Sequence, residues 1–527
     1  MSNLENQNPT KSAVAAQDES KQVSKGLFVI TAAKLWFMVG GALITFGLPY
    51  LFNAQGKNGV ALYGQYNDLN NTLSILTMVI VTGGMQTISK FTSQAQNEGQ
   101  LSLILKKLFW LMLGIGSALS IGFILSADQL AQMRGNADLV MGYRFAGLVL
   151  LAYSIYIVFI GALNGRKAFG SQALFDIGFT TLKAILVLGL AFVGLGVNGA
   201  FLGFALSAIL IAIISFLKVG FGKQGSENLM IQTKDILSFA FHAMLYTLVF
   251  NLIFKLDILL IKPVLQTYTS ATSADTGIGL YGMAVNLSRL PWQATIAVTF
   301  VIFPILSEAT FGKDLEKART YISQSLRYLG ILIGSASAVL MAYPEGVTLF
   351  LPKGYQFVAD LLIWLAPAYF CFSLFNLVNT ILISANYPNK ALIIGVATTI
   401  IASLLYYFWM PMGLGTLDPT QTTALILTRG AQATFIAFAF GLSFGVFELI
   451  RIFGKQILAI GSVLRVLGVL GSFAIIGVFM PLFGKILSLV ILGGLGILYF
   501  VLLALLGEFN AEDRARFQRI IRRKNTP

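Results

Sequence analysis

The stretch "LYGMAVNLSRLPWQ", Leu280 to Gln293, runs without a break into the apolar "ATIAVTFVIFPIL" of residues 294–306. The apolar run reads as part of a membrane-spanning helix. Yet the same segment carries Arg289 two residues before the helix-breaking Pro291. A guanidinium inside hydrocarbon is costly unless it faces water or a counter-charge. Both terms of that contrast recur along the chain.

Hydrophobic residues make up 56% of the 527 and charged residues only 11%, with a mean hydropathy of +0.79. A water-soluble globule does not have this balance. A hydrocarbon core about 30 Å thick needs roughly 20 helical residues, and apolar runs of that length predict about fourteen spans between Gly26 and Leu506. A transmembrane barrel would place a polar residue at every second position, which these runs do not. The expected fold class is an all-α polytopic membrane protein.

Residues 1–25 lack the apolar core and small-residue cleavage site of a signal peptide and read as a disordered cytoplasmic tail. Short loops retain basic residues on the cytoplasmic side. One set of loops holds Lys106, Lys107, Arg166, Lys167, Lys313, Lys317, Arg319, Arg451 and Lys455, whereas the alternate set holds Lys57, Arg134, Lys353 and Lys485. Both termini are therefore expected in the cytoplasm. In a soluble protein the net charge of +14 would suggest nucleic-acid binding; here the loop asymmetry accounts for most of it, and no nucleic-acid partner is expected. The basic residues after Leu506 suit anionic headgroups. The single cysteine, Cys371, excludes an intramolecular disulfide.

The chain also repeats itself. "LYG" at Leu62–Gly64 recurs at Leu280–Gly282, 218 residues on, and the same offset carries Ser89 onto Ser307 and Thr92 onto Thr310. "LNGRKA" from Leu163 resembles "ANYPNKA" from Ala385, and "GLG" recurs from Gly194 to Gly413. Roughly six spans in each half predict parallel repeats around an axis along the membrane normal. The expected organisation is a lobe over residues 26–225, a second over 226–450, two additional helices over 451–507, and a basic cytoplasmic tail over 508–527.

The "LYG…N…LP" element, the "PILSEAT" after it and the corresponding "YGQYNDLNNTLSILTMVIVTGGMQTISKFTSQ" resemble the multidrug/oligosaccharidyl-lipid/polysaccharide exporter superfamily. Within it the chain is most similar to polysaccharide exporters and lipid II flippases of cell-wall synthesis. The resemblance covers Lys25 to about Leu506. It implies a flippase of fourteen helices that moves a polyprenyl-pyrophosphate-linked sugar between leaflets through a cationic cavity, with the lipid tail in a groove by the last two helices. Polysaccharide synthases or polymerases would be further partners. In lipid II flippases an arginine sits earlier in the eighth-span motif, at the place held here by Asn286, and the first-span cation, here Lys34, is an arginine. The cationic character is kept, while specificity for the peptidoglycan precursor does not follow.

Depth selects the candidate residues. Arg289 lies ten residues into the expected eighth span, which opens at Gly279, or about 15 Å along it. That is too deep to snorkel. Pro291 kinks the helix there and serves as the candidate hinge. A guanidinium fork beside an opened backbone suits phosphate oxygens; the alternative is a structural ion pair with Asp257. Lys34 reaches either cavity water or the inner interface. Lys183 is as deep as Arg289, and Asp176, seven residues earlier on the same face, is its expected network partner, with cavity lining second. Lys255 and Lys262 come late in the seventh span, where snorkelling accounts for them, and Lys255 is kept as a further candidate contact. Asp257 cannot face Lys255, two residues away, and needs a partner from another helix. It and Asp176 are the candidate charge-balancing or ion-coupling groups. Arg327 and Arg429 lie nearer helix ends.

An enzyme would need an acid/base or metal constellation on a substantial loop. The loops are short and the one histidine, His242, reads as a helix-packing residue. No catalytic residue, metal or cofactor is expected. The rival reading is a cation-coupled multidrug antiporter of the same superfamily, for which Asp176 and Asp257 would supply membrane carboxylates. The aromatic residues, 12% of the chain, are assigned mainly to lipid-facing and interfacial positions.

Overall fold

The computed structural model describes residues 9–56, 58–222, 232–293, 314–414 and 418–509, with Thr295, Leu306 and Asp513. Among them there is no strand, and the fold is all-α as expected. Contacts divide the chain into two compact units, residues 1–255 and 256–527. The division falls inside a helix, some thirty residues beyond the boundary expected at 225/226.

The first unit is built from α1 (Pro9–Ala54), α2 (Gly59–Met78), α3 (Gly84–Ser93), α4 (Glu98–Leu125), α5 (Ala127–Met133), α6 (Val140–Gly165), α7 (Phe169–Leu190) and α8 (Gly196–Val219). Helix α9 (Thr233–Tyr268) straddles the division and is bent by 45° between Val249 and Asn251. The second unit continues with α10 (Ala271–Arg289), α11 (Leu315–Ala342), α12 (Pro344–Thr348), α13 (Val358–Ser384), α14 (Pro388–Leu404), α15 (Pro419–Phe453), α16 (Ile460–Phe479) and α17 (Lys485–Leu505). Helix α1 begins at Pro9, so residues 9–25, expected as a disordered tail, are helical. Their Ala, Lys, Glu and Gln favour helix without an apolar face.

Polar residues at the loop ends start these helices, accepting backbone N–H groups that have no partner in the first turn. Asn58 Oδ1 accepts from Ala61, Asn97 Oδ1 from Gln100, and Asp314 Oδ1 from Lys317, at 3.2, 2.8 and 3.0 Å. Ser270 caps α10 through Ser273, and Asp418 caps α15 with Pro419 at its first position.

Eleven helical stretches among the described residues are long and apolar enough to cross a membrane, or twelve with bent α9 counted as one span. One of the eleven, Phe169–Val219, has 51 residues, far more than one crossing needs. It turns back at Gly194 and Gly196, with φ of +93° and +58°, so α7 and α8 are separate crossings. The eighth expected span, Gly279–Leu306, lies largely outside the described residues after Gln293.

The repeat is visible in the backbone. Gly135 and Gly354, Lys167 and Asn386, and Gly194 and Gly413 all have positive φ, and each pair is 219 residues apart. Lys167 and Asn386 are the only non-glycine residues with positive φ among those described. This pairing moves the register at "LNGRKA" by three residues from the one expected, which matched Asn164 with Asn386. Helices α4 and α11 each have 28 residues. In the first unit α6 is the central helix, with 78% of its most apolar window buried against 28% for α4. Its counterpart α13 has the same place in the second unit, at 67%.

Small residues let these helices approach closely. A Cβ on Gly203 of α8 would stand 2.4 Å from the Leu186 carbonyl oxygen and 2.8 Å from the Val187 nitrogen, both backbone atoms of α7. Gly178 and Gly189 of α7 have open space. Gly203→Ala should therefore cost about 1–3 kcal/mol through overpacking and lower the melting temperature of the detergent-solubilised protein. Gly178→Ala should leave it unchanged within error, and equal melting of the two variants would refute the close approach.

Candidate functional site

Each unit holds a group of ions around one carboxylate. In the second unit that carboxylate is Asp257 on α9. Helix α10 stops at Arg289 because Pro291 has no N–H to return to the Leu287 carbonyl; the Leu290 and Trp292 N–H groups close tighter turns on Leu287 and Arg289, at 3.2 and 3.1 Å. Arg289 thus stands at a helix end, with only 12% of its side chain exposed. One guanidinium nitrogen, Nη2, lies 3.8 Å from Asp257 Oδ2, too long for a hydrogen bond. Arg289 Nε donates to the Tyr369 hydroxyl at 2.8 Å, and the guanidinium carbon lies 5.1 Å from the centre of the same ring. Asp257 Oδ1 accepts from the Ile258 N–H at 2.8 Å. The ion pair left open as an alternative for Arg289 is present, in a loose form.

Three buried hydroxyls lie on helices of the same unit. Tyr281 of α10 and Tyr406, just after α14, each meet Thr434 Oγ1 of α15, at 2.8 and 2.7 Å. Tyrosine hydroxyls need partners when buried. Tyr281 and Tyr369, with Tyr63, Tyr143, Tyr343, Tyr355 and Tyr499, are among the largest fully buried side chains. The expectation that aromatic residues mainly face lipid is corrected: many line the helix interfaces, where flat rings fill space between Gly-rich helices. The missed signal was the tyrosines placed well inside apolar runs.

In the first unit the carboxylate is Asp176 on α7. Lys34 Nζ of α1 lies 3.5 Å from Asp176 Oδ2, and the Tyr156 hydroxyl of α6 donates to Oδ1 at 3.4 Å. Lys34 is 53% exposed and Asp176 only 16%. Lys183, the partner expected for Asp176, instead sets its ammonium 3.5 Å from the centre of the Phe204 ring on α8, a cation–π contact. Seven residues put Lys183 on the same face but about 10 Å along the axis, so α1 and α6 reach Asp176 first. Lys255 is half-buried and its carbonyl accepts from Asn71 Nδ2 at 3.0 Å.

Ion pairs of three further basic residues were not foreseen from the sequence. Arg134, expected in an outer loop, is buried and meets Asp68 of α2 through Nε, at 3.0 and 3.1 Å from the two oxygens, and through Nη2. Lys262 does not snorkel: it is wholly buried, with Nζ 2.9 Å from Asp275 Oδ1 of α10. Arg327 of α11 meets Glu508 and Asp513, in the segment expected only as a basic tail. His242 is exposed rather than packed between helices and donates from Nδ1 to the Ser238 carbonyl at 2.6 Å.

The second unit also encloses an apolar cleft of about 580 Å³ among α11, α13, α15 and α16, lined by Leu326, Phe370, Cys371, Val463 and Leu467, with Arg327 at its edge. Among the described residues no three or more His, Cys, Asp or Glu side chains are grouped to hold a metal ion.

Long apolar helices that carry a few partnered charges are the marks of a multi-pass membrane protein. The fold agrees. It is similar to a lipid II flippase, MurJ, in an inward closed conformation, with TM-score 0.67 and 13% identity over 91% of this chain and 98% of that one. It is also similar to an outward-facing multidrug resistance MATE transporter of the MOP superfamily, with TM-score 0.61 and 15% identity over 82% and 97%. A MOP superfamily transporter from Pyrococcus furiosus, described as having a binding pocket of reverse polarity, matches with TM-score 0.52 and 14% identity over 82% and 97%. No curated protein sequence matches the chain.

Residues 63–352 match the family described as polysaccharide biosynthesis protein, and the chain belongs to that family. The family is one of polysaccharide biosynthesis, and the fold is the one seen in the MurJ flippase and the MATE transporters.

The Lys262–Asp275 pair gives a test of burial. Removing one partner of a buried pair costs about 3–5 kcal/mol because the other charge is stranded. Lys262→Met should lower thermal stability sharply, and Lys262→Met with Asp275→Leu should recover much of the loss in the same unfolding assay. A single variant as stable as the parent would contradict the buried pairing.

Proposed function

We propose that the protein is a flippase for a polyprenyl-pyrophosphate-linked saccharide, a precursor of the cell wall or of another surface polysaccharide, in the bacterial inner membrane. The observation that carries this reading is Arg289, a nearly buried guanidinium at a proline-terminated helix end, whose ion pair with Asp257 is open to 3.8 Å. A planar fork of donors matches two phosphate oxygens better than a point charge does. A pair of this length is loose enough for a phosphate to draw the guanidinium away, and the Tyr369 hydroxyl holds its plane meanwhile.

Lys34 is the second pyrophosphate contact: a half-exposed ammonium in a span must face water or headgroups. Lys183 and Lys255 complete the cationic set. Asp257 and Asp176 balance these charges while the site is empty. Pro291 is the hinge on which the helix end bearing Arg289 moves. The cycle is alternating access between repeats, with both termini in the cytoplasm and polysaccharide synthases or polymerases as upstream or downstream partners.

The second reading, a cation-coupled multidrug antiporter, draws on Asp176 and Asp257 as membrane carboxylates and on the similarity to the MATE transporters. One experiment separates the two. Purified protein in liposomes with a fluorescent polyprenyl-pyrophosphate oligosaccharide should move it to the opposite leaflet. Arg289→Ala should slow transfer by about 10- to 100-fold, the range set by losing a charged hydrogen bond of about 1.5–3 kcal/mol. Arg289→Lys should recover only part, since the charge returns without the fork. Cation-driven dye efflux with no lipid transfer would establish the antiporter instead.

A further inference from the structure

Helix α17 ends in a turn that aims the chain back onto the second unit. Gly507, with φ of +73°, donates to the Ala504 carbonyl at 3.0 Å, and Glu508 N–H donates to that of Leu503 at 2.9 Å. This pair of bonds is the Schellman termination, which glycine makes accessible. It delivers Glu508 into a ring of donors. Glu508 Oε1 accepts from Arg327 Nε of α11 and from the Ser462 hydroxyl of α16, both at 2.6 Å, and Oε2 accepts from Arg465 Nη1 at 3.2 Å. Asp513 accepts from Arg327 Nη2 at 2.8 Å, from Nη1 at 3.4 Å and from the Tyr328 hydroxyl at 2.6 Å. The Glu508 carbonyl also meets Arg327 Nη2. Glu508 has no exposed side-chain area and Asp513 only 6%.

Two guanidinium groups and two hydroxyls directed at one place match the oxygens of a phosphate as well as those of two carboxylates. Arg327 and Ser462 also line the apolar cleft, so the same donors stand where a lipid's headgroup would meet its chain. The cleft is mostly apolar, which selects an amphiphile over a soluble anion. The two carboxylates neutralise two cations, and they are tethered to the end of α17, so they compete at high effective concentration. A bound lipid has to displace them.

We infer that Arg327, Arg465, Ser462 and Tyr328 form a binding site for the phosphate of an anionic membrane phospholipid with its acyl chain in the cleft, and that Glu508 and Asp513 are its built-in competitor. The site is independent of the transported cargo: Arg289 and Lys34 have no part in it. Bound lipid releases the Glu508 and Asp513 carboxylates, and lipid-poor protein keeps them on the two arginines.

The test uses the full-length protein in nanodiscs of phosphatidylcholine alone or with phosphatidylglycerol, following hydrogen exchange of the peptide spanning Leu503 to Phe509. The segment should be protected in phosphatidylcholine and exchange at least about tenfold faster with phosphatidylglycerol. The Glu508→Gln/Asp513→Asn double variant should exchange fast in both and, by native mass spectrometry, retain phosphatidylglycerol about tenfold more tightly than wild type, with no change for phosphatidylcholine. Adding Arg465→Gln to it should reduce that gain. Protection indifferent to phosphatidylglycerol, or a double variant that retains it no better than wild type, would overturn the site. So would inorganic phosphate alone opening the segment in phosphatidylcholine, because the apolar cleft would then have no part in selecting the ligand.

Discussion

Hydrocarbon offers a charged side chain no water, and each ion placed there must find a partner within the protein or reach a wet surface. That requirement arranges both units. Asp68 with Arg134, Asp176 with Lys34 and Tyr156, Asp275 with Lys262, and Asp257 with Arg289 each tie one segment of the chain to another. Lys183 meets the same need with an aromatic face. The pairs differ in tightness. Lys262–Asp275, at 2.9 Å, is almost without exposure, while Arg289–Asp257 stands at 3.8 Å and Lys34–Asp176 at 3.5 Å with the lysine half-exposed. Distance and exposure, rather than charge alone, set the pairs apart.

The fold class, the apolar helices and the existence of a repeat were legible because membrane spans announce themselves through length and composition. Arg289 was legible as a singular residue, and Pro291 as the reason its helix ends. The partners were less so. Asp176 and Lys183 share a helical face, which suggested a pair, but a face says nothing of which neighbouring helix arrives first. Lys262 looked like a snorkelling lysine because its counter-ion, Asp275, lies on the next helix, beyond a turn. The buried tyrosines were hidden by their double nature: a ring equally at home at a lipid interface gives no sign of the hydroxyl network formed by Tyr281, Thr434 and Tyr406. The end of the chain was read by its net charge, and the two acids that fold inward were outvoted by the arginines after them.

The repeat carries backbone geometry more faithfully than side chains. Three pairs of left-handed residues keep a spacing of 219, and the central helices α6 and α13 keep their place. The ions do not follow: Asp176 lies on α7 and Asp257 on α9, met by a lysine in one unit and an arginine in the other. Turns are constrained by sterics that few residues can satisfy, and a duplicated chain keeps them while its charges drift.

That drift gives the two halves an individuality their shared scaffold lacks. At Lys167 and Asn386 the chain pays for a left-handed turn without glycine in both copies, so the turn itself has been held through the divergence, and with it the hairpin that follows. A protein assembled from two first units would keep every such corner yet hold the same lysine and carboxylate twice. Its two halves would be interchangeable, and nothing in their charges would tell one from the other.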